Sequence, residues 1–304
     1  MSSPERHRVR AIIVTYNPDA SHLQQVVAAL SPQVESILIV DNASRNSDEI
    51  DALSRLEEVD LLNFSANRGI AAALNVGVRH HLISEPDWIL TMDQDTLVHP
   101  GAIEDILASF DALEAPHQDQ VGILAMRAHP QPSSIRITRY ADRLLVLKDF
   151  ESFEERRAVI TSGNLVRADV LRRTNYDEDL FIDQVDFDFC FAVRELGYCV
   201  LRHKTTAMDH VLGERFSDTD KEHPYESAQR VYYIIRNSTY LVVRRRLTLR
   251  FYVAQVIVFS GAFVSMNGVK SLALCARVVL RGMFDGVTGR LGRREYPFLS
   301  RGRR

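Results

Sequence analysis

Apolar residues in the first hundred positions come in short unbroken runs, separated by segments with helical spacing. Residues 10–16 contain Ala11-Ile12-Ile13-Val14, residues 36–40 read Ser36-Ile37-Leu38-Ile39-Val40, and residues 87–92 contain Trp88-Ile89-Leu90-Thr91-Met92. Such runs predict strands buried on both faces, as in a parallel sheet. A further strand is predicted over 59–64. Between them, 18–30 places Leu23, Val26, Val27 and Leu30 on one helical face, and helices are predicted over 47–56 and 69–81. Strands alternating with helices predict an α/β fold with a mostly parallel central sheet flanked by helices.

Beyond residue 98 the same reading predicts a helix to about 113, a strand over 121–126 and an irregular, charged stretch over 136–155. A strand over 158–166 carries Gly163, and a short helix follows over 167–173. Over 183–196 a helix shows the stripe Val185, Phe189, Ala192-Val193 and Leu196, with Gly197 as its terminator. A strand over 198–201 and helices over 225–246 and 251–283 complete the pattern. The longest apolar stretch, 251–266, contains Gln255 and Ser260 and is shorter than the roughly 20 residues that span a bilayer, so no transmembrane helix is predicted. No signal peptide is visible at the polar N-terminus.

In open α/β sheets ligands bind beyond the carboxyl ends of the strands, and the polar clusters fall there: Thr15-Tyr16-Asn17, Asp41-Asn42, Asn67-Arg68-Gly69 and Asp93-Gln94-Asp95. In an extended segment side chains at i and i+2 point the same way, so Asp93 and Asp95 can face one point. Like charges that close repel unless a cation lies between them, and oxygen ligands suit Mg²⁺ or Mn²⁺. An isolated Asp-x-Asp is more often a solvated turn; four polar clusters at successive strand ends reverse that weighting. Taken singly, Asp41 also reads as the N-cap of the next helix, Arg68 as a surface arginine at a turn, and Asp186 as a first-turn carboxylate favoured by its helix dipole.

These motifs, with Asn75, Ser162-Gly163-Asn164, Phe181-Ile182-Asp183-Gln184-Val185-Asp186, His210-Val211-Leu212-Gly213, Tyr232-Tyr233 and Arg236-Asn237, make the chain resemble glycosyltransferase family 2 over about residues 9–290. Within that family it is similar to bacterial dTDP-rhamnose-dependent rhamnosyltransferases. The resemblance implies a GT-A (nucleotide-diphospho-sugar transferase) fold with a helical C-terminal extension. It places a nucleotide-binding half over about 9–126, an acceptor and catalytic half over about 127–235, and a basic amphipathic extension over 236–304. It implies donor binding by Thr15, Tyr16, Asn17, Asp41, Asn67, Arg68, Gly69, Asp93 and Gln94, with Asp41 taking a hydrogen bond from the base imide. Asp95, Asp93 and His210 would hold Mg²⁺ or Mn²⁺. Asp186 would be the base of an inverting transfer, with Asp183 and Asp188 as competitors. Val185 stands where the family usually has an acidic residue, which removes a flanking acid. Arg236 and Asn237 would meet the acceptor or the phosphates, and residues 213–224 would close over the donor. Trp88 reads as core packing.

The net charge of −3 hides an asymmetry. Residues 236–304 hold 13 Arg and one Lys against Asp285 and Glu295, a net +12, which leaves −15 on the first 235 residues. A basic, partly apolar tail on an acidic body predicts contact with an anionic membrane surface. Nucleic acid is not expected, because stacking aromatics do not interleave with the arginines. Three cysteines without C-x-x-C spacing fit a reducing compartment and core packing. The expected enzyme is cytoplasmic, peripheral at the inner face of the cell membrane, and transfers L-rhamnose from dTDP-L-rhamnose to a hydroxyl of a polysaccharide or lipid-linked glycan. The alternatives are a UDP-hexose or UDP-N-acetylhexosamine donor, a nucleotidyltransferase, and a catalytically silent nucleotide-binding module. Nucleotidyl transfer is disfavoured by the lack of glycine in Thr15-Tyr16-Asn17-Pro18-Asp19.

Overall fold

The computed structural model describes residues 7–129, 143–210 and 227–299, with the side chains of Thr206 and His210 outside that description. Strands β1 (Val9–Thr15), β2 (Ser36–Asp41), β3 (Val59–Asn63) and β4 (Trp88–Asp93) form a parallel array in the order β3-β2-β1-β4. Helices α1 (Ala20–Leu30), α2 (Ser47–Asp51) and α3 (Ile70–Leu82) connect them. The alternating pleat sorts each run onto two faces. Ala11 and Ile13 join Ile37, Ile39, Leu90 and Met92 beneath α1 and α4 (Ala102–Asp111). Ile12, Leu38, Val40 and Ile89 face α3 and α7 (Val185–Glu195) on the other side. With both faces covered, no polar alternation is needed, which is why the strands read as unbroken apolar runs.

Past β4 the sheet is mixed. The order continues β9 (Asn164–Arg167), β6 (Val121–Ala128), β10 (Cys199–His210), β8 (Phe153–Arg156) and β7 (Val146–Asp149), with β5 (Thr96–Val98) antiparallel to β10. Here β9 runs antiparallel to both neighbours, while β6 and β10 are parallel. Short helices α5 (Ala115–Gln118) and α6 (Ala168–Leu171) link these strands. After β10 the chain becomes helical: α8 (Ala228–Val243), α9 (Leu249–Asn267) and α10 (Leu272–Val287).

Several expectations change. The stretch 136–155, read as irregular, holds β7 and the start of β8, because Glu154 is paired with Arg127, Arg156 and Arg202 on neighbouring positions. Its charges are internal to the sheet edge and hide the strand pattern. The strand expected over 158–166 begins only at Asn164, since Gly163 adopts φ +79 and its N–H donates to Thr91 O at 2.9 Å. The single helix expected over 251–283 breaks at Gly268, also at positive φ. Finally, α9 is longer than the apolar run that suggested it: its 19 residues, with mean hydropathy 1.5, are long and apolar enough to cross a membrane by length and composition. Trp88 packs edge-on to Phe110 in the core, and the described cysteines are free thiols. The boundary expected between 235 and 236 falls inside α8.

Candidate active site

The parallel register pairs Thr15 with Asp41 and Val14 with Asp93, so the carboxyl ends of β1, β2 and β4 share one edge. Asp41 is buried there. The Thr15 hydroxyl donates to its Oδ1 at 2.8 Å, the Ser44 N–H to Oδ2 at 2.8 Å, and the Ser44 hydroxyl to Oδ1. The carboxylate thus closes a turn with its own third neighbour; the N-cap of α2 is Asn46, not Asp41. Ser44, which sequence reasoning passed over, also accepts the Asn17 N–H at 2.7 Å. The Asp-x-x-Ser spacing from Asp41 to Ser44 is the local signal for it.

Asn17 takes the Arg45 N–H on its Oδ1 at 2.9 Å. The Tyr16 N–H donates to Gln94 Oε1 at 2.7 Å, so Gln94 ties β1 to the acidic turn while the Tyr16 side chain stays exposed. From the second loop, Asn42 Oδ1 accepts the Arg68 N–H at 2.8 Å, and Asn67 Oδ1 accepts the Gly69 N–H at 2.9 Å. The Arg68 guanidinium is half-exposed, 3.5 Å from the Glu178 carboxylate and 5.0 Å from the Phe64 ring centre. Gly69, at φ +87, opens α3. A Cβ there would stand 2.4 Å from Phe181 O, so only glycine lets this turn close on the segment that leads to Asp186.

Asp93 ends β4, and its N–H donates to Ser162 Oγ at 3.0 Å; the Ser162 hydroxyl in turn donates to Thr96 Oγ1 at 2.8 Å. Thr96, directly after Asp95, pairs through its backbone with His210 across β5 and β10. The strand pairing therefore brings the His210 backbone to the acidic turn, while its side chain, with residues 211–226 and the expected closing loop 213–224, lies outside the described residues. Among the described residues no three His, Cys, Asp or Glu side chains cluster as ligands for an ion. Two carboxylates still suit Mg²⁺ or Mn²⁺, which commonly takes one or two protein carboxylates and completes its shell with substrate phosphates and water.

Asp186 lies in the first turn of α7 and keeps a partial opening to solvent. Burial pushes its carboxyl up to about 7, with further upward pressure from the charges of Asp183 and Asp93 and a downward pull from the Phe187 N–H at 2.9 Å. Asp93 and Asp186 are thus electrostatically coupled across the site. Asp183 is occupied: Arg230 Nε donates to both its oxygens, at 2.9 and 3.1 Å, although burial still raises its carboxyl. Asp188 is buried against Arg246, with Nη1 to Oδ1 at 2.5 Å. Asp183 and Asp188 are thus each held by an arginine, and among the described residues Asp186 shows no such ion pair. No local signal could have found Arg230, which comes from a helix much later in the chain.

Arg236 and Asn237 stand apart from the expectation. Both are fully buried. Arg236 donates to the carbonyls of Leu180 and Gly292, and Asn237 to those of Leu180, Ile182 and Asp183. Their polar atoms are turned to protein backbone, not to a phosphate or an acceptor.

The parallel array with polar clusters at its strand ends, the mixed half of the sheet beyond it and the helical C-terminal part are those of a GT-A fold. The model for "Glycosyl transferase family 2" matches residues 11–174, and the chain belongs to that family. It is 29% identical over 254 residues to the dTDP-rhamnosyl transferase RfbF of Shigella flexneri, covering 82% of this chain and 84% of that one. Over 142 residues it is 31% identical to an N-acetylglucosaminyl-diphospho-decaprenol L-rhamnosyltransferase of Mycobacterium tuberculosis, covering 41% and 46% of the two chains. In structure it resembles GalNAc-T7, solved with UDP, GalNAc and Mn²⁺, with a TM-score of 0.58 at 13% identity over 97% of this chain and 59% of that one. The chain is a glycosyltransferase, and rhamnosyltransferases are among the proteins it resembles in sequence.

Proposed function

We propose that the protein is an inverting rhamnosyltransferase that uses dTDP-L-rhamnose and a divalent cation to glycosylate a hydroxyl of a polysaccharide or lipid-linked glycan. The observation that carries the mechanism is the Asp186 carboxyl in the first turn of α7, raised to about 7 by burial and by the charges of Asp183 and Asp93. A base works best when its pKa lies near the working pH. Asp186 takes the proton from the acceptor hydroxyl as that oxygen attacks the anomeric carbon. The bond from that carbon to the diphosphate oxygen breaks, and its electron pair leaves with the nucleoside diphosphate. Asp93 and Asp95, with His210 as a further candidate, would hold Mg²⁺ or Mn²⁺, which when bound supplies Lewis-acid stabilisation of the departing diphosphate. Asp41 and Thr15 orient the base, Tyr16 and Asn17 border the ribose, and Arg68 with the α3 N-terminus faces the phosphates.

The similarity to the dTDP-rhamnosyl transferase supports the donor. Exposed Leu249, Val253, Ile257, Leu280 and Phe284, beside exposed Arg244, Arg245, Arg250 and Arg277, support docking of α9 and α10 on an anionic lipid surface. Two measurements test the reading. With Mn²⁺ or Mg²⁺ and a panel of nucleotide sugars, dTDP should be released from dTDP-L-rhamnose in preference to release from UDP-hexoses and UDP-N-acetylhexosamines. A preference for a UDP-sugar replaces the donor, and no release or binding of any donor removes the transferase reading. The protein should also co-sediment with anionic vesicles but not with neutral ones; equal recovery in both would remove the membrane surface.

A further inference from the structure

The backbone that delivers Asp186 passes through conformations that side chains other than glycine avoid. Phe181 sits at φ 65, ψ −63, Asp183 at φ 64 and Gln184 at φ 61. The Ile182 N–H donates back to Leu180 O at 2.8 Å, so Phe181 centres a γ-turn of the positive-φ hand, the rare and strained form. Strain of this kind persists only where the surroundings over-determine it.

The surroundings here are specific. Asn237 Nδ2 lies 3.0, 2.8 and 2.8 Å from the carbonyl oxygens of Leu180, Ile182 and Asp183. Arg236 Nη2 donates to Leu180 O at 2.8 Å, and the Ile70 N–H to Phe181 O at 2.9 Å. Every carbonyl from Leu180 to Asp183 therefore has a donor, and all but one of them are served by two adjacent residues of α8. The Asn237 amide has one orientation, because Arg236 Nε donates to its Oδ1 at 2.7 Å; the NH₂ group must face the turn. Arg236 is anchored in its turn by Nη1 to Gly292 O at 2.6 Å. Directly after the clamped carbonyls, Gln184 O accepts the Asp188 N–H at 2.9 Å and α7 begins. The clamp thus sets where the first turn of α7 starts, and Asp186 projects from that turn.

We propose that Asn237, braced by Arg236, is a positioning residue that holds the strained 180–184 turn and so aims the Asp186 carboxyl at the acceptor. This rests on Asp186 being the base. Since Asn237 makes none of the contacts to the Asn67-Arg68-Gly69 turn, which meets the segment through the separate Ile70–Phe181 bond, its loss should spare donor binding.

The test is Asn237→Asp, which keeps the shape but replaces the donor with an acceptor facing three carbonyls. Turnover is read as dTDP release from dTDP-L-rhamnose with water or an octyl glycoside as acceptor, and dTDP binding by calorimetry. Because misplacing a reacting group by about 1 Å costs roughly 100-fold, kcat should fall by about that factor. Donor KM and dTDP affinity should stay within about threefold. A kcat within threefold of wild type, or equal losses in kcat and dTDP affinity, overturns the proposal. Should Asn237→Asp not fold, Asn237→Ser, uncharged and with a single hydroxyl donor, is judged by the same split. Asp186→Asn run in parallel separates the two ideas. If Asp186→Asn retains turnover, the base assignment fails; if it is inactive while the Asn237 variant turns over normally, only the clamp fails.

Discussion

The two sides of the proposed active site, one for the donor and one for the base, are built by different means. On the donor side, Thr15, Asp41 and Asp93 sit at the ends of adjacent parallel strands, and the register alone puts them together. Their polar partners are near in sequence or just before the next strand: Ser44 for Asp41, Ser162 for the Asp93 N–H. On the base side, Asp186 follows a turn with three non-glycine residues at positive φ, held by groups from α8. Strand ends converge because a sheet has an edge. A strained turn keeps its shape only because distant residues hold each of its carbonyls. The donor side should therefore tolerate change by local weakening, whereas the base side should fail as a unit.

The sharpest probe of that contrast is Asp186→Asn. It should lower kcat by at least about 1000-fold in steady-state assays, within the range that a positioned general base contributes, while dTDP binding by calorimetry stays within threefold. Substantial remaining turnover would move the base to Asp183 once Arg230 releases it. A smaller effect is expected across the site. Asp41→Asn keeps the shape but weakens charge-assisted hydrogen bonds, so the donor KM should rise roughly 10- to 100-fold with little change in kcat; an equal fall in kcat would mean that the two sides are not separable. The smallest effect is on stability. The Asp186 carboxyl titrates at about 7 in the folded protein against 3.8 for an unperturbed aspartate. The folded state thus holds this proton more tightly, and its contribution to stability is full below about 4 and lost as pH rises to about 7. Asp186→Asn cannot ionise. At pH 8 it should be more stable than wild type by on the order of 2 kcal/mol, a figure discounted for the partial opening to solvent, and thermal melts at pH 4 should show no such gain. A gain that does not change with pH would argue against a raised carboxyl.

The same contrast explains what could be read in the chain. Ile12, Leu38 and Ile89 announce buried parallel strands because both sheet faces are covered, and the polar clusters at their ends follow from strand order. Arg236 and Asn237 were singled out as functional residues but given phosphates or the acceptor as partners. Nothing local distinguishes an arginine aimed at a ligand from one aimed at Leu180 O, which is far away in sequence. Arg230, the partner of Asp183, was invisible for the same reason. β7 and β8 escape the pattern because Glu154 is paired with Arg202 and Arg127 on other strands and with Arg156 on its own, so a strand carries the composition of a loop. β10 ran past its expected end because Arg202, His203 and Lys204 mask it with polar residues, although His203 is buried.

The contact between Arg236 and Gly292 also bears on when the enzyme becomes an enzyme. Gly292 accepts from Arg236 and donates its own N–H to Asp179 O at 2.6 Å, so the segment after α10 grips the start of the catalytic turn from behind. On the proposed assignment of Asp186 as the base, parallel strands that are fully formed would still leave it unaimed until that segment docks. The proposed base would then be armed from a segment far later in the chain than its own helix, a dependence that strand order alone does not reveal.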